Sequence, residues 1–250
     1  MSEFEQYRAD YERDGFVVIP QFLTGDDFTE LTSELDRYIA EVVPTLPDSA
    51  AFFQDRKSPE TLKQMQHMQD QYFVDYAEHS RWKQLAETLF GEPAFSKRPE
   101  WFNKPPNTDH ETPPHQDNYY INLDPPPLTA WLALDPVDDE NGCLRYYAGS
   151  HRKGLRPHET TRVLGFSQGI ADFDAATEEN EVAVHMQPGD LAVHHGELIH
   201  RADPNRTSDR QRRAFAMVFQ TVAAQLNQEA HARHTVAARN QHQGMGLEVD

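Results

Sequence analysis

Apolar residues recur at two different periods along this chain, and the period changes near residue 94. Over residues 26–43 they fall at helical spacing, with Phe28, Leu31, Leu35 and Ile39 forming one stripe. Just before, Tyr-Glu-Arg-Asp-Gly-Phe-Val-Val-Ile-Pro at positions 11–20 reads as a helix that ends at Gly15 and hands over to a short strand. Residues 58–89 also carry a helical pattern, with Met65, Met68, Tyr72 and Phe73 as core contacts. From residue 94 onward the texture becomes short apolar runs separated by Pro, Gly and Asn-Gly, at 128–134, 143–147, 182–186, 191–193 and 213–222. That punctuation predicts an all-β core, either a barrel or a two-sheet jelly roll. Residues 150–181 show few strand signals and read as a loop excursion suited to a lid. The polar end of the chain, residues 226–250, reads as a surface helix followed by a frayed terminus. A chain of 250 residues is within reach of one β-rich domain, so the expectation is a single domain over 1–250. It divides into a helical part at about 1–93, the β core at about 94–225 and the tail.

Charge narrows the set of partners. With 41 acidic residues against 23 basic ones the formal charge is -18, which repels nucleic acid and anionic membrane surfaces. The start, MSEFEQYRAD, has neither a basic segment nor an apolar core of the signal-peptide kind, and no apolar stretch approaches the roughly 20 residues needed to cross a bilayer. The expectation is a cytoplasmic protein without nucleic-acid or membrane partners. One cysteine, Cys143, excludes an intrachain disulfide and a multi-cysteine zinc cluster; in a turn-like run after Asn141-Gly142 it reads as structural.

The chemistry concentrates in two segments. In Pro113-Pro-His-Gln-Asp-Asn-Tyr-Tyr120, residues i and i+2 of an extended strand point the same way, so His115 and Asp117 present an imidazole and a carboxylate side by side. Gly189-Asp190-Leu-Ala-Val-His194-His195-Gly-Glu-Leu-Ile-His200 follows a turn with an apolar strand and offers three histidines as the missing ligand. Two histidines and one carboxylate on one face of a metal leave three adjacent positions open, which suits an Fe(II) that binds a bidentate cosubstrate and O2. Behind His200, Arg201-Ala-Asp-Pro-Asn-Arg-Thr-Ser-Asp-Arg-Gln-Arg-Arg-Ala leads arginines into the next strand, where a guanidinium fork can grip a carboxylate.

With these segments in place the chain resembles the phytanoyl-CoA dioxygenase family of 2-oxoglutarate-dependent oxygenases. The resemblance runs from Gly15-Phe-Val-Val-Ile-Pro through Asn103-Lys-Pro-Pro, His115-Gln-Asp117, Asn141-Gly-Cys-Leu, Gly149-Ser-His151 and Gly189-Asp190 to His200, Pro204-Asn205 and Arg212-Arg-Ala. It implies a mainly β fold with flanking α elements: a double-stranded β-helix, the cupin-like jelly roll, preceded by helices. It makes His115, Asp117 and His200 the iron ligands, leaving His194 and His195 as supporting or buried residues. It assigns Arg212 to the far carboxylate of 2-oxoglutarate, with Arg210 and Arg213 as alternative registers. Trp131 matches an aromatic lining the cosubstrate pocket, and Lys63 a lysine that reaches the cosubstrate from the preceding helical region. One position departs from the pattern, since many relatives have a serine where this chain has Ala202; the alternatives are that Thr207 or Ser208 compensates or that cosubstrate affinity is weaker.

The activity implied is oxidation of a small-molecule substrate with 2-oxoglutarate and O2, releasing succinate and CO2. A carboxylate at position 117 favours hydroxylation over halogenation, because chloride needs the room that a small residue leaves. The substrate is set by loops around the mouth, for which Trp101, Tyr119, Tyr120, Tyr146, Arg152 and residues 166–173 are the candidate walls. Lys97, Arg98, Arg152, Lys153 and Arg156 are the residues that would form a patch for a CoA thioester. Two rival readings are a cupin-like metalloenzyme that does not use 2-oxoglutarate and a non-catalytic jelly-roll binding protein. The first has no need of a carboxylate-gripping arginine, and the second tolerates loss of any ligand.

Overall fold

Gly15 ends the first helix, α1 (Glu5–Asp14), with φ 83°, and its N–H caps the Tyr11 carbonyl. The chain then enters β1 (Phe16–Ile19). A Cβ at Gly15 would lie 2.4 Å from His151 Nδ1 and 2.8 Å from a Leu198 methyl, so this turn is also a point where three distant segments meet. The structure, a computed structural model, describes residues 2–163, 166–175 and 178–244.

After β1 come α2 (Gly25–Glu41), β2 (Ala51–Phe53), β3 (Leu62–Met65), α3 (Gln71–Tyr76) and α4 (Ser80–Phe90). Leu31 and Leu35 of the expected α2 stripe are buried, while Phe28 and Ile39 flank the core. Next are β4 (Ala94–Ser96), β5 (Glu100–Asn103), β6 (Thr112–His115), the short α5 (Asp117–Ile121), β7 (Leu123–Asp124), β8 (Leu128–Ala133) and β9 (Leu144–Tyr147). The hairpin β10 (His158–Val163) and β11 (Phe166–Ile170) precedes β12 (Glu181–Val184), β13 (Leu191–His195), β14 (His200–Ala202), β15 (Arg213–Thr221) and β16 (Gln225–Leu226). A final helix, α6 (Gln228–Gly244), closes the described chain; the rest of the expected frayed terminus, 245–250, lies outside the described residues.

Two antiparallel sheets face each other. The larger runs β1-β13-β8-β15-β5-β3-β2 with β4 also on β15, and the smaller runs β12-β9-β14-β6. This is the jelly roll expected from the punctuation after residue 94, with three amendments. The N-terminal third, expected to be helical apart from the short strand after Gly15, contributes β2 and β3 to the large sheet as well as that strand, β1, so Lys63 sits on a strand and not on a helix. Residues 150–181 contain a β-hairpin within the expected excursion. The polar C-terminal helix packs on β11, β10 and α5.

The large sheet separates two packed layers by strict alternation. Leu128, Ala130 and Leu132 of β8, Leu191 and Val193 of β13, and Phe215, Met217 and Phe219 of β15 pack under the helices. Trp82 of α4 meets Phe215 edge-on at 5.8 Å. The inner faces of the same strands carry Trp131, Ala133, Ala192, Ala214 and Ala216. Large side chains on the helix side and mostly small ones on the inner side leave room between the sheets.

Gly189, at φ 89°, packs so tightly that a Cβ would stand 2.2 Å from the Leu23 carbonyl oxygen, whereas Gly25 at φ 61° has nothing within 4 Å. Gly189→Ala is therefore expected to destabilise by about 1–3 kcal/mol or more, seen as a lower melting temperature. Gly25→Ala should carry only the smaller strain of its left-handed backbone.

Candidate active site

His115 ends β6 and His200 begins β14, and the two are direct cross-strand partners, so their side chains leave the small sheet together toward the inner space. Asp117 is not on the strand; it is the first residue of α5, reached through an extended Gln116 (φ -129°, ψ 122°). Gln116 is wholly buried and holds that step in place. Its amide donates to the Gly154 and Glu197 carbonyls at 2.9 and 2.8 Å and accepts from the Arg156 N–H at 2.8 Å.

Asp117 Oδ1 lies 3.6 Å from His115 Nε2 and 3.5 Å from His200 Nε2, and the three atoms form a set able to hold a metal ion. The orientation is set from behind. His115 Nδ1 donates to the Pro113 carbonyl at 2.7 Å and His200 Nδ1 to the Leu198 carbonyl at 3.0 Å, which leaves both Nε2 lone pairs turned inward. Burial, and after it the neighbouring His115, holds His200 well below the usual imidazole range, so it stays neutral and available as a ligand. Burial opposes the charge on Asp117, but the surrounding imidazoles outweigh it and keep the carboxyl well below its ordinary value.

The second Asp117 oxygen is held by the opposite sheet. Thr129 Oγ1 donates to Oδ2 at 2.6 Å, and His194 Nε2 donates to it at 3.0 Å. Thr129 and His194 are themselves cross-strand partners on β8 and β13. Because a carboxylate only accepts, His194 Nε2 carries the proton, and its Nδ1 accepts from the buried Tyr146 hydroxyl at 2.9 Å. His194 thus braces Asp117, and His195 points elsewhere, with its ring 6.3 Å from Tyr11.

One cavity joins this triad to Arg212, Trp131, Lys63, Lys104, His110 and Thr112. Arg212 is buried, with its guanidinium carbon 5.3 Å from the Trp131 ring centroid and its Nε without a hydrogen-bond partner. Among the described residues it makes no ion pair, and burial lowers its pKa to about 10. Its neighbours in the sequence are spent elsewhere: Arg210 pairs with Asp138 and Glu140, and Arg213 with Asp135. Lys63 Nζ is 3.1 Å from His110 Nε2, and burial brings its pKa down to about 8. Thr207 and Ser208 do not line the cavity; the residue opposite Ala202 across the strands is Thr112, which does.

A second, adjoining chamber shares His115, Asp117 and Thr129 and opens between β5, α5, β11 and α6. Tyr120 and Phe166, two of the expected walls, line it, and Phe166 meets the His115 ring at 5.2 Å. Trp101 lies in the core under the helices, Tyr119 stacks on His158 at 3.9 Å, and Arg152 binds the Arg13 carbonyl. Of the five cations considered for a CoA patch only Lys97 and Arg98 line the chamber; Arg156 is paired with Asp172 and Glu178. Glu100 and the residues of α6 are components that the sequence pattern did not single out. Away from this site, Asp139, Cys143 and His185 also approach one another, but the Arg145 guanidinium already stands 2.9 Å from Asp139, and burial raises the Cys143 thiol to about 12. No helix among the described residues is long and apolar enough to cross a membrane.

Comparison with known proteins shows the family and the fold. The family model described as phytanoyl-CoA dioxygenase matches residues 11–214. The mouse peroxisomal phytanoyl-CoA dioxygenase is 30% identical over 81% of this chain and 64% of its own length, so the match covers less than two thirds of that relative. The 1-deoxypentalenic acid 11-beta-hydroxylase of Streptomyces arenae is 31% identical over 55% of this chain and 52% of its own. Among solved structures, the epimerase SnoN in complex with Fe3+, alpha ketoglutarate and nogalamycin RO superposes with a TM-score of 0.71, at 25% identity, over 92% of this chain and 88% of that one.

The bracing of Asp117 from the opposite sheet yields a prediction about metal affinity. Thr129→Val removes a donor at constant shape and is expected to weaken Co(II) or Fe(II) binding about 10–100-fold, measured by metal titration of the folded protein. Unchanged affinity would mean that Oδ2 needs no support.

Proposed function

The chain belongs to the phytanoyl-CoA dioxygenase family, and from that premise we propose that residues 1–250 act as one Fe(II)- and 2-oxoglutarate-dependent oxygenase domain that hydroxylates a small molecule. His115, Asp117 and His200 hold the iron, and Arg212, Trp131 and Lys63 hold 2-oxoglutarate. The donor set fits: two imidazoles and one carboxylate, presented from one side, leave adjacent positions open for a chelating cosubstrate and O2. Bound there, Fe(II) supplies the activation of O2 that converts 2-oxoglutarate to succinate and CO2 and places the second oxygen atom on a substrate C–H bond.

The observation that carries this reading is Arg212. A buried guanidinium without a carboxylate partner is costly, and the missing counterion is what a dicarboxylate brings. Arg212 takes the far carboxylate as a fork, with Trp131 covering one guanidinium face and Thr112 in the place vacated by serine at Ala202. Lys63 and His110 supply donors on the same wall. Thr129 and His194 hold Asp117 Oδ2, so that Oδ1 would be the oxygen offered to the metal, and Tyr120 and Phe166 cover the His115 ring. Asp117 fills the position that chlorination would need empty, which supports hydroxylation. A cupin-like enzyme that does not use 2-oxoglutarate leaves Arg212 without a purpose, and a binding-only protein leaves the bracing of Asp117 without one. A cytoplasmic location is supported by a lone, buried free thiol, which suits a reducing compartment.

The test is an anaerobic titration of the Fe(II)-loaded protein with 2-oxoglutarate, followed by the weak visible charge-transfer band of a chelated keto acid. Arg212→Ala is expected to lose about 2–5 kcal/mol of cosubstrate affinity, a factor of roughly 30 or more. Arg210→Ala and Arg213→Ala should titrate like the parent protein, and a deficit in either one instead would move the grip to that residue. Asp117→Ala and His200→Ala should show neither the band nor succinate formation.

A further inference from the structure

The chamber beyond the triad differs in charge from the rest of the molecule. The chain carries a formal charge of -18, and most of its arginines lie in ion pairs, as Arg145, Arg156, Arg201, Arg210 and Arg213 do. Lys97 and Arg98, exposed on the turn between β4 and β5, line the chamber and make no ion pair with a described residue. Arg239 lines it from α6, along with His231 and His234.

Among the described residues two carboxylates line the chamber, and neither forms an ion pair with Lys97 or Arg98. Asp117 belongs to the metal triad. Glu100, on the inner face of β5 opposite Ala216, is half-buried beside Gln64, with His67 Nδ1 3.7 Å away. The positive character is felt locally, since burial and then the Lys97 and Arg98 charges hold His67 below its ordinary value. The remaining lining mixes polar Gln64, Gln66, Ser167 and Thr235 with apolar Phe52, Phe102, Ile121 and Val218, so the chamber offers both hydrogen-bonding and apolar surface.

The roof is a separate piece of chain. Residues 231, 234, 235, 238 and 239 of α6 fall on one helical face and close the chamber. That face is fixed in place by His234 on the Gln168 side chain at 2.9 Å and by the Gln241 amide on the Thr161 carbonyl at 2.9 Å. α6 begins 14 residues after the end of the family match at 214, so this wall is built by a part of the chain that the family model does not describe.

We propose that this chamber is the substrate site and that its occupant is a polar small molecule bearing a carboxylate or phosphate group, which Lys97 and Arg98 bind at the mouth while the carbon to be oxidised lies against His115 and Asp117. The assignment rests on the oxygenase reading for the chemistry at the inner end, but the anion site stands on its own residues. An uncharged molecule would leave the cations unused, and a cationic one would be repelled by them. The group bound at the mouth is the part of the substrate that does not react, so it sets affinity and orientation and leaves the chemistry to the triad.

The experiment uses the full chain loaded with Fe(II) and 2-oxoglutarate under anaerobic conditions, so that Arg212 is already occupied. Hexanoate, hexyl phosphate, hexanamide and hexylammonium are titrated calorimetrically into the parent protein and into the double variant K97E/R98E. The expected result is that at least one anion binds about tenfold or more tightly than hexanamide. That preference should weaken with added salt and disappear in K97E/R98E, and the tighter of the two anions identifies the head group. Equal binding of anion and amide, no binding of either anion, tighter binding of hexylammonium, or an unchanged preference in K97E/R98E would each overturn the proposal. The 2-oxoglutarate band is recorded in the same samples. Its absence with the anion preference intact would remove the oxygenase reading and leave the anion site standing; its presence without the preference would do the reverse. Both charges are exposed, so the variant is expected to fold, and an unchanged 2-oxoglutarate band in K97E/R98E verifies that it has.

Discussion

The structure depends on a largely buried carboxylate shared between two sheets. Asp117 stands at the start of α5, at the end of a small-sheet strand, yet its outer oxygen is held by Thr129 and His194, which belong to the large sheet. Burying an unsatisfied carboxylate would cost far more than a typical contact returns, so the two sheets must close in the one register that brings these donors to it. The same register puts His115 opposite His200. Folding and the assembly of the metal-binding set are therefore one event: a slip of one residue in β14 or β8 would turn the functional side chains to the other face.

Several short motifs that look independent in the sequence support this arrangement from outside. The Ser150 hydroxyl accepts the Ile199 N–H at 2.9 Å, immediately before His200. Gly142 leaves space for the Asp203 carbonyl, which a Cβ would approach to 2.5 Å. Asn205 ties its loop to the Lys104 and Arg210 carbonyls at 2.8 Å each, and Lys104 Nζ reaches back to the Ala202 carbonyl at 3.0 Å. Asn103 accepts the Arg212 N–H at 3.3 Å. Each motif thus anchors one of the two segments, around His200 or around Arg212, whose position the proposed chemistry requires.

The legible part of the sequence was the part governed by local period or by resemblance. The apolar runs of β8, β13 and β15 were readable because these strands are buried on both faces between turn residues, and the stripe of α2 because that helix buries one face. The pairing of His115 with Asp117 was also readable, although the reason differs: extended geometry reaches only to Gln116, and a helix start presents the carboxylate. What escaped was set by long-range packing. The Met65 and Met68 pattern mimics a helix because β3, which lies between β5 and β2 in the large sheet, buries Leu62, Gln64 and Met65 and so shows no apolar alternation to mark it. Glu100 looked like any acidic residue, and only its place opposite Ala216 on the inner face marks it as part of the chamber. The tail looked like a surface helix because its chamber-facing residues are His, Thr, Ala and Arg, and polarity alone does not distinguish a face turned to solvent from one turned to a polar cavity.

That last ambiguity bears on how far the family relationship reaches. Residues 11–214, the span of the family match, include the His115–Asp117–His200 set, its braces and Arg212, the residues that the proposed chemistry uses. The wall over the proposed substrate chamber comes from 228–244, beyond that match, and from the β4–β5 turn that carries Lys97 and Arg98. Loops and appended elements can change without disturbing the buried carboxylate, because none of its hydrogen bonds comes from them. A relative can therefore keep the same reaction while the molecule it acts on differs, and the substrate of this chain is to be sought from the charge and polarity of its own chamber.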